Sequence, residues 1–305
     1  MALPNSTSSP AVLSVANLGV ILAWVGAANN IQIMLSTDGV TFQTPLDTGM
    51  PSGFPPALTS LNGRVFMAWL QPGNGNVNVT EVTLGKDGNG NPIIEGLVPP
   101  PIGQTIKVST NSTPGFATYG NQLLIAFGIY AGPGGTPPPI NVMWTGDLVA
   151  NPDDYSFNAG YQLTDPTGSI ERTWEAPVLV TTQTRGTFMA WKGWNNIDIS
   201  IAQIPANVGA GGNAASIPPK KILFGLTGAT PGLTSKNDEL YVAYKAYGGN
   251  NIYILPEHTW PTFPVGAIDT HGLTYSNPIL GVKADQSAVL LGYSDTGNVL
   301  QLGSF

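Results

Sequence analysis

Polar and apolar residues alternate along short stretches that recur through the whole chain. Examples are NNIQIML (29–35), NIDISIA (196–202) and NNIYIL (250–255). A period of two residues indicates a β-strand whose two faces differ. Before each such stretch stands a nearly continuous apolar run that ends on an aromatic residue and a turn rich in Gly or Asn. The pattern therefore predicts many short β-strands joined by tight turns.

A proline and the terminal aromatic residue of these runs recur at a nearly fixed spacing of 13 to 15 residues. The pairs are Pro10 and Trp24, Pro56 and Trp69, Pro114 and Phe127, Pro177 and Trp191, Pro231 and Tyr244, and Pro278 and Tyr293. From proline to aromatic each unit has the form strand, turn, strand, and a period-2 strand and a fourth short strand follow. Four strands in about 50 residues, repeated six times, predict an all-β fold, a six-bladed β-propeller with four antiparallel strands per blade.

The ends of the chain suggest how such a ring closes. Residues 1–305 are predicted to form one propeller domain, with blades at approximately 9–52, 53–111, 112–168, 169–226, 227–273 and 274–305. The last unit stops after its third strand, and the N-terminal MALPNSTSSPAV is similar to the fourth-strand segment KVSTNSTPGF (107–116). Residues 1–8 are therefore predicted to be the closing strand of the last blade, which removes two exposed sheet edges.

Composition narrows the function classes. Hydrophobic residues make up 42% of the chain and charged residues only 10%, which argues against disorder despite 38 Gly and 27 Pro. A net charge of −7 with 11 basic residues argues against nucleic-acid binding. No apolar run approaches the ~18 residues of a membrane span, and the N-terminus lacks the features of a signal peptide. The absence of cysteine excludes disulfides and leaves the compartment open, although an extracellular or surface-exposed role is suspected.

The stretch STDGVTF (36–42) is similar to the Asp-box of sialidase-type propellers, with its glycine one place early at Gly39. The wider repeat resembles bacterial tandem-repeat propellers of the lectin-like and sialidase-like kind. This resemblance implies a structural role for the Asp-box hairpin, on the face away from the binding site. The sialidase catalytic set is not expected, because that family clamps its substrate with three arginines and this chain has only Arg64, Arg172 and Arg185 in all. Arg64 and Arg185 are predicted in hairpins between first and second strands, on the face opposite the binding loops. Propellers host many unrelated functions, so the resemblance does not define an activity.

Aromatic residues provide the candidate ligand contacts. The six aromatic residues that end the apolar runs form what we call the aromatic column, which includes Trp191. These rings could stack on sugars, but packing between blades is the favoured interpretation. The second aromatics, three residues further on, lie in polar turns and are better candidates. They are Trp194, Tyr130 and Tyr247. Loop asparagines such as Asn195 and Asn250 could bind sugar hydroxyls or could adopt left-handed turn geometry.

One segment departs from the repeat, namely TDPTGSIERTWEAP (164–177), which leads into the first strand of the fourth blade. It places Trp174 and Glu175 near the predicted central tunnel. Glu175 is the weak candidate for a glycosidase acid or nucleophile, with Asp165 or Glu171 as its partner, because such enzymes use paired carboxylates. The alternative, a surface salt bridge beside a docking tryptophan, is favoured because no other blade entry carries an acid.

No metal site or cofactor is predicted. His258 and His271 lie at different positions of consecutive repeats, and KDGNGNP (86–92) lacks the glycine and glutamate of a calcium loop, so a hairpin turn is expected there.

Three functions remain open at the level of sequence. The favoured one is a non-catalytic, lectin-like propeller that binds glycans through loop aromatics and Asn/Gly turns. The second is a structural or interaction subunit of an extracellular or viral-type assembly, with protein partners or homo-oligomers at the Pro-rich loops 97–103 and 132–140. The third is a glycoside hydrolase. The sequence favours a binding module over an enzyme.

Overall fold

The computed structural model describes residues 6, 8–98, 104–108, 110, 112–129, 136–205, 215–223, 227–262, 267–274, 276–283, 285–295, 297 and 299–305. These residues form six antiparallel sheets that follow one another along the chain. The all-β prediction and the six-bladed propeller are confirmed.

The first three blades occupy the N-terminal half of the chain. Blade one contains β1 (Ala11–Val15), β2 (Gly19–Val25), β3 (Asn30–Ser36) and β4 (Leu46–Pro51). Blade two contains β5 (Ala57–Leu61), β6 (Arg64–Leu70), β7 (Val77–Lys86), β8 (Pro92–Leu97) and β9 (Gln104–Ile106). Blade three contains β10 (Gly115–Tyr119), β11 (Gln122–Gly128), β12 (Ile140–Trp144) and β13 (Tyr161–Thr164).

The other three blades complete the ring. Blade four contains β14 (Val178–Thr181), β15 (Thr187–Lys192), β16 (Ile199–Gln203) and β18 (Lys221–Leu223), and β17 (Ala215–Ser216) lies in its outer connection. Blade five contains β19 (Gly232–Lys236), β20 (Glu239–Lys245), β21 (Asn251–Pro256) and β22 (Ile268–Leu273), with a short 3-10 helix at Glu257–Thr262. Blade six contains β23 (Ile279–Val282), β24 (Val289–Ser294) and β25 (Leu300–Ser304).

The first strands of the blades surround a common axis. Each of β1, β5, β10, β14, β19 and β23 contacts the first strand of the blade before it and of the blade after it, and β23 contacts β1. The described blades therefore close into a complete ring by face-to-face packing. The predicted closing strand at residues 1–8 lies mostly outside the described residues. Ser6, which is described, accepts a hydrogen bond at its carbonyl from Ser294 Oγ of blade six at 2.7 Å.

The second strands are almost continuously apolar because both faces of each blade are covered. All seven residues of β2 are buried. Ile21 and Ala23 pack in a cluster shared with blade two, whereas Leu22 and Trp24 pack in a cluster shared with blade six. Alternate residues of one strand thus serve two different interfaces, which is why the run shows no polar positions.

The aromatic column lies at these interfaces. Each member packs in the cluster shared with the preceding blade, and the members are Trp24, Trp69, Phe127, Trp191, Tyr244 and Tyr293. Five of the six are buried and Tyr293 is half-buried. Packing between blades, the favoured interpretation, is what the structure shows. Trp191 is only 1% exposed, so no face of its ring is open to a sugar in this structure, and we do not count it among the candidate ligand contacts below.

Two outer edges depart from a simple repeat. In blade two the ten-residue β7 is long enough to pair with both β8 and β9, so this blade has one strand more than the predicted four. In blade three β13 pairs in parallel with β17, which comes from blade four. This crossing covers an edge that would otherwise expose unpaired backbone groups.

Candidate functional site

A cavity of about 430 Å³ opens on the axis, where the first strands of all six blades begin. Apolar side chains of these strands form its floor, among them Val12, Leu58, Phe116, Leu179, Leu233 and Leu280. Its collar is richer in hydroxyl groups and includes Ser8, Ser9, Ser112, Thr113, Thr230 and Ser276. We call this cavity the axial mouth. A polar collar over an apolar floor is typical of a small-molecule site.

A turn that is repeated six times builds the collar. A buried serine or threonine stands four residues before the proline of each unit, at Ser6, Ser52, Thr110, Thr173, Thr227 and Thr274. Its hydroxyl bonds to the backbone two residues further on. Thr227 Oγ1, for example, accepts from Ala229 N at 3.1 Å and donates to Ala229 O at 3.1 Å. The sequence carries this signal as [S/T]-x-x-x-P, of which the predicted repeat contained only the proline.

Backbone hydrogen bonds attach the turns that enter blades two to six to the loop of the preceding blade. Thr227 N donates to Ile197 O at 2.9 Å, and Thr274 N donates to Asn250 O at 3.0 Å. The equivalent bond in blade two runs from Ser52 N to Asn29 O at 2.9 Å. The collar is therefore fixed between blades rather than carried on free loops, as a preorganised site requires.

The residue two places after the turn serine or threonine distinguishes the blades. At this position stand Ser8, Phe54, Ser112, Glu175, Ala229 and Ser276. Thr173 Oγ1 accepts from Glu175 N at 3.1 Å and so holds the backbone of that residue at the collar. Glu175 is the one charged residue among those that line the mouth in the described structure, and none of the ion pairs found there involves it.

The hydroxyl groups of the collar differ in their bonding. Ser9 Oγ and Ser276 Oγ lie 2.9 Å apart and link blades one and six, and Thr113 Oγ1 donates to Pro55 O at 2.8 Å. Thr230 is 3% exposed, and within the described structure its hydroxyl has no hydrogen-bond partner. A buried hydroxyl without a partner is costly, so it is a feature that calls for an explanation.

The two carboxylates considered as partners of Glu175 are used elsewhere, and neither lines the mouth. Glu171 is buried and forms an ion pair with Lys220 at 2.6 Å. Asp165 braces a turn through bonds from Thr167 and Ser169, and the side-chain bond from Thr167 is the main cause that lowers the pKa of this carboxyl. The salt bridge of this segment is therefore made by Glu171 and not by Glu175, and its carboxylate is buried rather than at the surface.

Exposed aromatic rings of blades four and five lie on the face where the axial mouth opens. Trp194 is 47% exposed and Tyr247 is 65% exposed, at equivalent positions between the second and third strands of blades four and five. Trp174, on the turn that enters blade four, is 41% exposed and lines the mouth. We refer to Trp194 and Tyr247 as the rim rings.

Blade five shows how closely the rim approaches the collar turn. The ring edge of Tyr247 lies 3.4 Å from the position that a Cβ atom on Gly228 would occupy. In blade four the residues at the same two repeat positions are Trp194 and Trp174. Blade four therefore has two exposed indoles, Trp194 and Trp174, at the positions where blade five has Tyr247 and Gly228.

The loop asparagines do not provide the left-handed turn geometry that was the alternative for them. Neither Asn195 nor Asn250 has a positive φ, and in the loop of blade five that conformation belongs to Gly248, with φ of 74°. Asn195 is exposed beside Trp194, and Asn250 is half-buried. Tyr130 lies outside the described residues, as do 99–103 and 132–135 of the Pro-rich loops.

Two of the three arginines lie at the opposite end of the strands and are engaged there. Arg64 forms a bidentate pair with Glu81, and Arg185 forms one with Glu257 at 2.7 and 2.8 Å. The bonds from Arg185 are the main cause that lowers the pKa of Glu257. The third arginine, Arg172, donates to Pro137 O at 2.7 Å. These contacts do not bring the three arginines to one site.

The STDGVTF turn is braced by its aspartate. Asp38 Oδ1 accepts from Thr41 N at 2.7 Å, Val40 N at 2.8 Å and Ser36 Oγ at 2.8 Å. The bond from Thr41 N is the main cause that lowers the pKa of Asp38 well below its ordinary value. Asp147 of blade three accepts in the same way from the backbone N–H groups two and three residues further on. Membership of this turn in the Asp-box class stays a prediction.

Metal-binding groups do not cluster in the part of the chain that the structure describes, where no three His, Asp or Glu side chains could hold an ion together. The KDGNGNP stretch is the expected hairpin turn between β7 and β8, and Asp87 Oδ1 accepts from Asn89 N and Asn91 N at 2.9 Å each. No helix among the described residues is long and apolar enough to cross a membrane.

Fold and site together define a six-bladed β-propeller with an aromatic-rimmed axial mouth. Neither a scan of protein-family models nor a search of curated protein sequences found a match. Solved structures do resemble it. The fucose-specific lectin of Aleuria aurantia has a TM-score of 0.64 at 10% identity, covering 99% of this chain and 93% of the lectin.

Two further similar structures are a second lectin and an enzyme. The SapL1 lectin, solved with α-methyl fucoside, has a TM-score of 0.62 at 9% identity, covering 99% of this chain and 94% of the lectin. The α-L-arabinofuranosidase Arb93A of Fusarium graminearum has a TM-score of 0.60 at 10% identity, covering 100% of this chain and 98% of the enzyme. At such identities the likeness shows the fold alone.

Proposed function

We propose that this protein is a non-catalytic, lectin-like propeller that binds carbohydrate at its rim rings. The observation that carries the proposal is the contrast between two sets of aromatics. The column is buried between blades, whereas Trp194 and Tyr247 are exposed at equivalent loop positions. Large rings in polar loops contribute little to the core, and an indole or phenol face packs well against the apolar face of a sugar.

Two further features support the proposal. Asn195 is exposed next to Trp194 and can bond a sugar hydroxyl. Lectins occur among the proteins of similar fold, including one for fucose. Repetition of a weak site on two blades would also raise the overall affinity for a branched glycan.

A glycosidase is the second candidate, because an arabinofuranosidase shares the fold. Glycosidases hold two carboxyl groups across the scissile bond, either ~5–5.5 or ~6.5–9.5 Å apart. Glu175 is the one carboxylate in the described lining of the axial mouth, so the second group of such a pair is not found there. This difference is the reason for ranking a binding module above an enzyme.

A glycan array, followed by calorimetry on the best ligand, tests the proposal. The variant Trp194→Ala, Tyr247→Ala is expected to lose binding by about tenfold or more, since stacked rings contribute on the order of 1 kcal/mol each beyond burial. Phe305→Ala is the matched control, because Phe305 is also an exposed ring but follows β25 at the opposite end of the strands.

Selective binding that survives in the double variant would contradict the proposal, and so would consumption of the glycan. A blank array would also contradict it. In that case native mass spectrometry would test the alternative, an assembly subunit, which predicts oligomers without sugar affinity.

A further inference from the structure

The axial mouth has chemistry that the rim rings do not explain. It combines the carboxylate of Glu175, the exposed indole of Trp174 and the buried hydroxyl of Thr230, which has no partner among the described residues. We infer that the axial mouth is a separate binding site for a ligand that carries a protonated amine on a hydroxylated body, such as an amino sugar. This inference goes beyond the proposed function and rests on the mouth alone.

The charge of the ligand follows from Glu175. The residue is half-buried, and within the described structure no basic side chain pairs with it. A neutral ligand that covered this carboxylate would remove water from it without compensation, whereas an ammonium group would replace the lost water with a charge-assisted hydrogen bond. The net charge of −7 also favours the approach of a cation.

An organic cation fits the site better than a metal ion. Calcium takes six to eight oxygen ligands, commonly with several carboxylates, and the described lining offers one carboxylate among neutral groups. Beside that carboxylate stands Trp174, and an indole face attracts ammonium groups and also packs on sugar C–H groups. The collar therefore has partners for both the charge and the body of an amino sugar.

The hydroxylated body follows from Thr230. This side chain lines the mouth, is almost fully buried and leaves its hydroxyl without a partner in the described part of the chain. Its oxygen is covered by neighbouring atoms, so a ligand hydroxyl would satisfy it after rotation about χ1 turns it toward the mouth. The neighbouring collar hydroxyls of Ser9 and Ser276 are already held in place by their mutual bond of 2.9 Å. The volume of about 430 Å³ lies within the usual range for a small ligand.

Calorimetry with a glucosamine hexamer and with its fully N-acetylated counterpart tests the charge. The wild-type protein is expected to bind the amine form more tightly, with an affinity that falls as salt is added. Glu175→Gln is expected to weaken the amine form by about tenfold, the lower end for a hydrogen bond to a charged group, and to leave the acetylated form unchanged. The matched control is Glu95→Gln, which removes an exposed carboxylate on β8.

A second pair of variants tests the hydroxyl. Thr230→Val is expected to weaken both hexamers without lowering the melting temperature, because it removes a hydroxyl that bonds to no described protein group. Ser14→Ala is the control, since Ser14 Oγ of β1 is likewise buried and unpartnered but does not line the mouth. A purely structural Thr230 would show the reverse, a lower melting temperature with unchanged binding.

The inference is overturned if wild type binds both hexamers equally or binds neither, or if Glu95→Gln weakens the amine form as much as Glu175→Gln does. The double variant of the rim rings separates the two proposals. We expect it to keep the preference for the amine form even where it loses its array ligand, so either site can fail without the other.

Discussion

Thr227 and Thr230 lie three residues apart in one turn, and both are buried, yet only the hydroxyl of Thr227 is bonded within the described structure. The difference is one of role. Thr227 closes the turn that supports the collar, while Thr230 lines the axial mouth and its covered hydroxyl has no partner among the described residues. A buried polar group that loses its bonds costs stability, whereas removal of an unpaired one does not.

This pair yields a prediction for stability. Thr227→Val is expected to lower the free energy of unfolding by about 1–2 kcal/mol, since it leaves Ala229 N and O without their side-chain partner. Thr230→Val, an identical change of shape, is expected to leave that free energy unchanged or to raise it. Urea unfolding followed by tryptophan fluorescence measures both, and equal losses in the two variants would contradict the assignment.

At the scale of the strand, the second strands determine how the blades hold together. Each places alternate residues in two interfaces, as Ile21 and Leu22 do. The next-to-last residue of each is an aromatic that packs on the preceding blade. The turn beyond that aromatic then carries a residue three places further on, which is exposed in blades four and five. One short segment thus provides both a buried aromatic of the core and, three residues further on, the candidate ligand contact.

Two tryptophans of the same segment test this division. Trp191→Ala is expected to lower the free energy of unfolding by about 3–5 kcal/mol, because it opens a large cavity between blades three and four. Trp194→Ala is expected to change it by no more than about 0.5 kcal/mol, since its ring lies at the surface. Chemical unfolding of both variants gives the comparison. A large loss from Trp194→Ala would mean that this ring belongs to the core.

At the scale of the whole molecule, the ring depends on contacts between its first and last blades. β1 packs against β23, Ser9 Oγ and Ser276 Oγ lie 2.9 Å apart, and Ser6 Oγ donates to Val25 O at 3.1 Å while its carbonyl accepts from Ser294. We predict that residues 1–8 form the fourth strand of blade six and so add further contacts that close the ring.

Replacement of residues 1–8 by a Gly/Ser segment of equal length tests that prediction. We expect the melting temperature to fall by at least about 5 °C, because the loss of the strand lowers the free energy of unfolding by a few kcal/mol and each kcal/mol shifts the melting temperature of a large domain by about 2 °C. Scanning calorimetry would show it, with intact protein as the reference. An unchanged melting temperature would mean that packing between blades one and six closes the ring without the N-terminal strand.

The number of blades, the order of strands within them and the core position of the aromatic column followed from the sequence. These features are local and periodic, because every blade must bury the same two faces, so each repeat carries them in full. The [S/T]-x-x-x-P turn is also local and periodic, but only its proline was recognised from the sequence, because the sequence does not show which groups the hydroxyl bonds.

The axial mouth and the exposure of its rings were decided only by tertiary structure. The mouth takes a few residues from each of six segments about 50 residues apart along the chain, and no local pattern records how these residues meet. Exposure likewise depends on the neighbouring blade, which is why Trp191 and Trp194, three residues apart, have opposite environments. Sequence alone therefore determined the repeating unit, whereas the closure of the ring brought Glu175, Trp174 and Thr230 to one cavity.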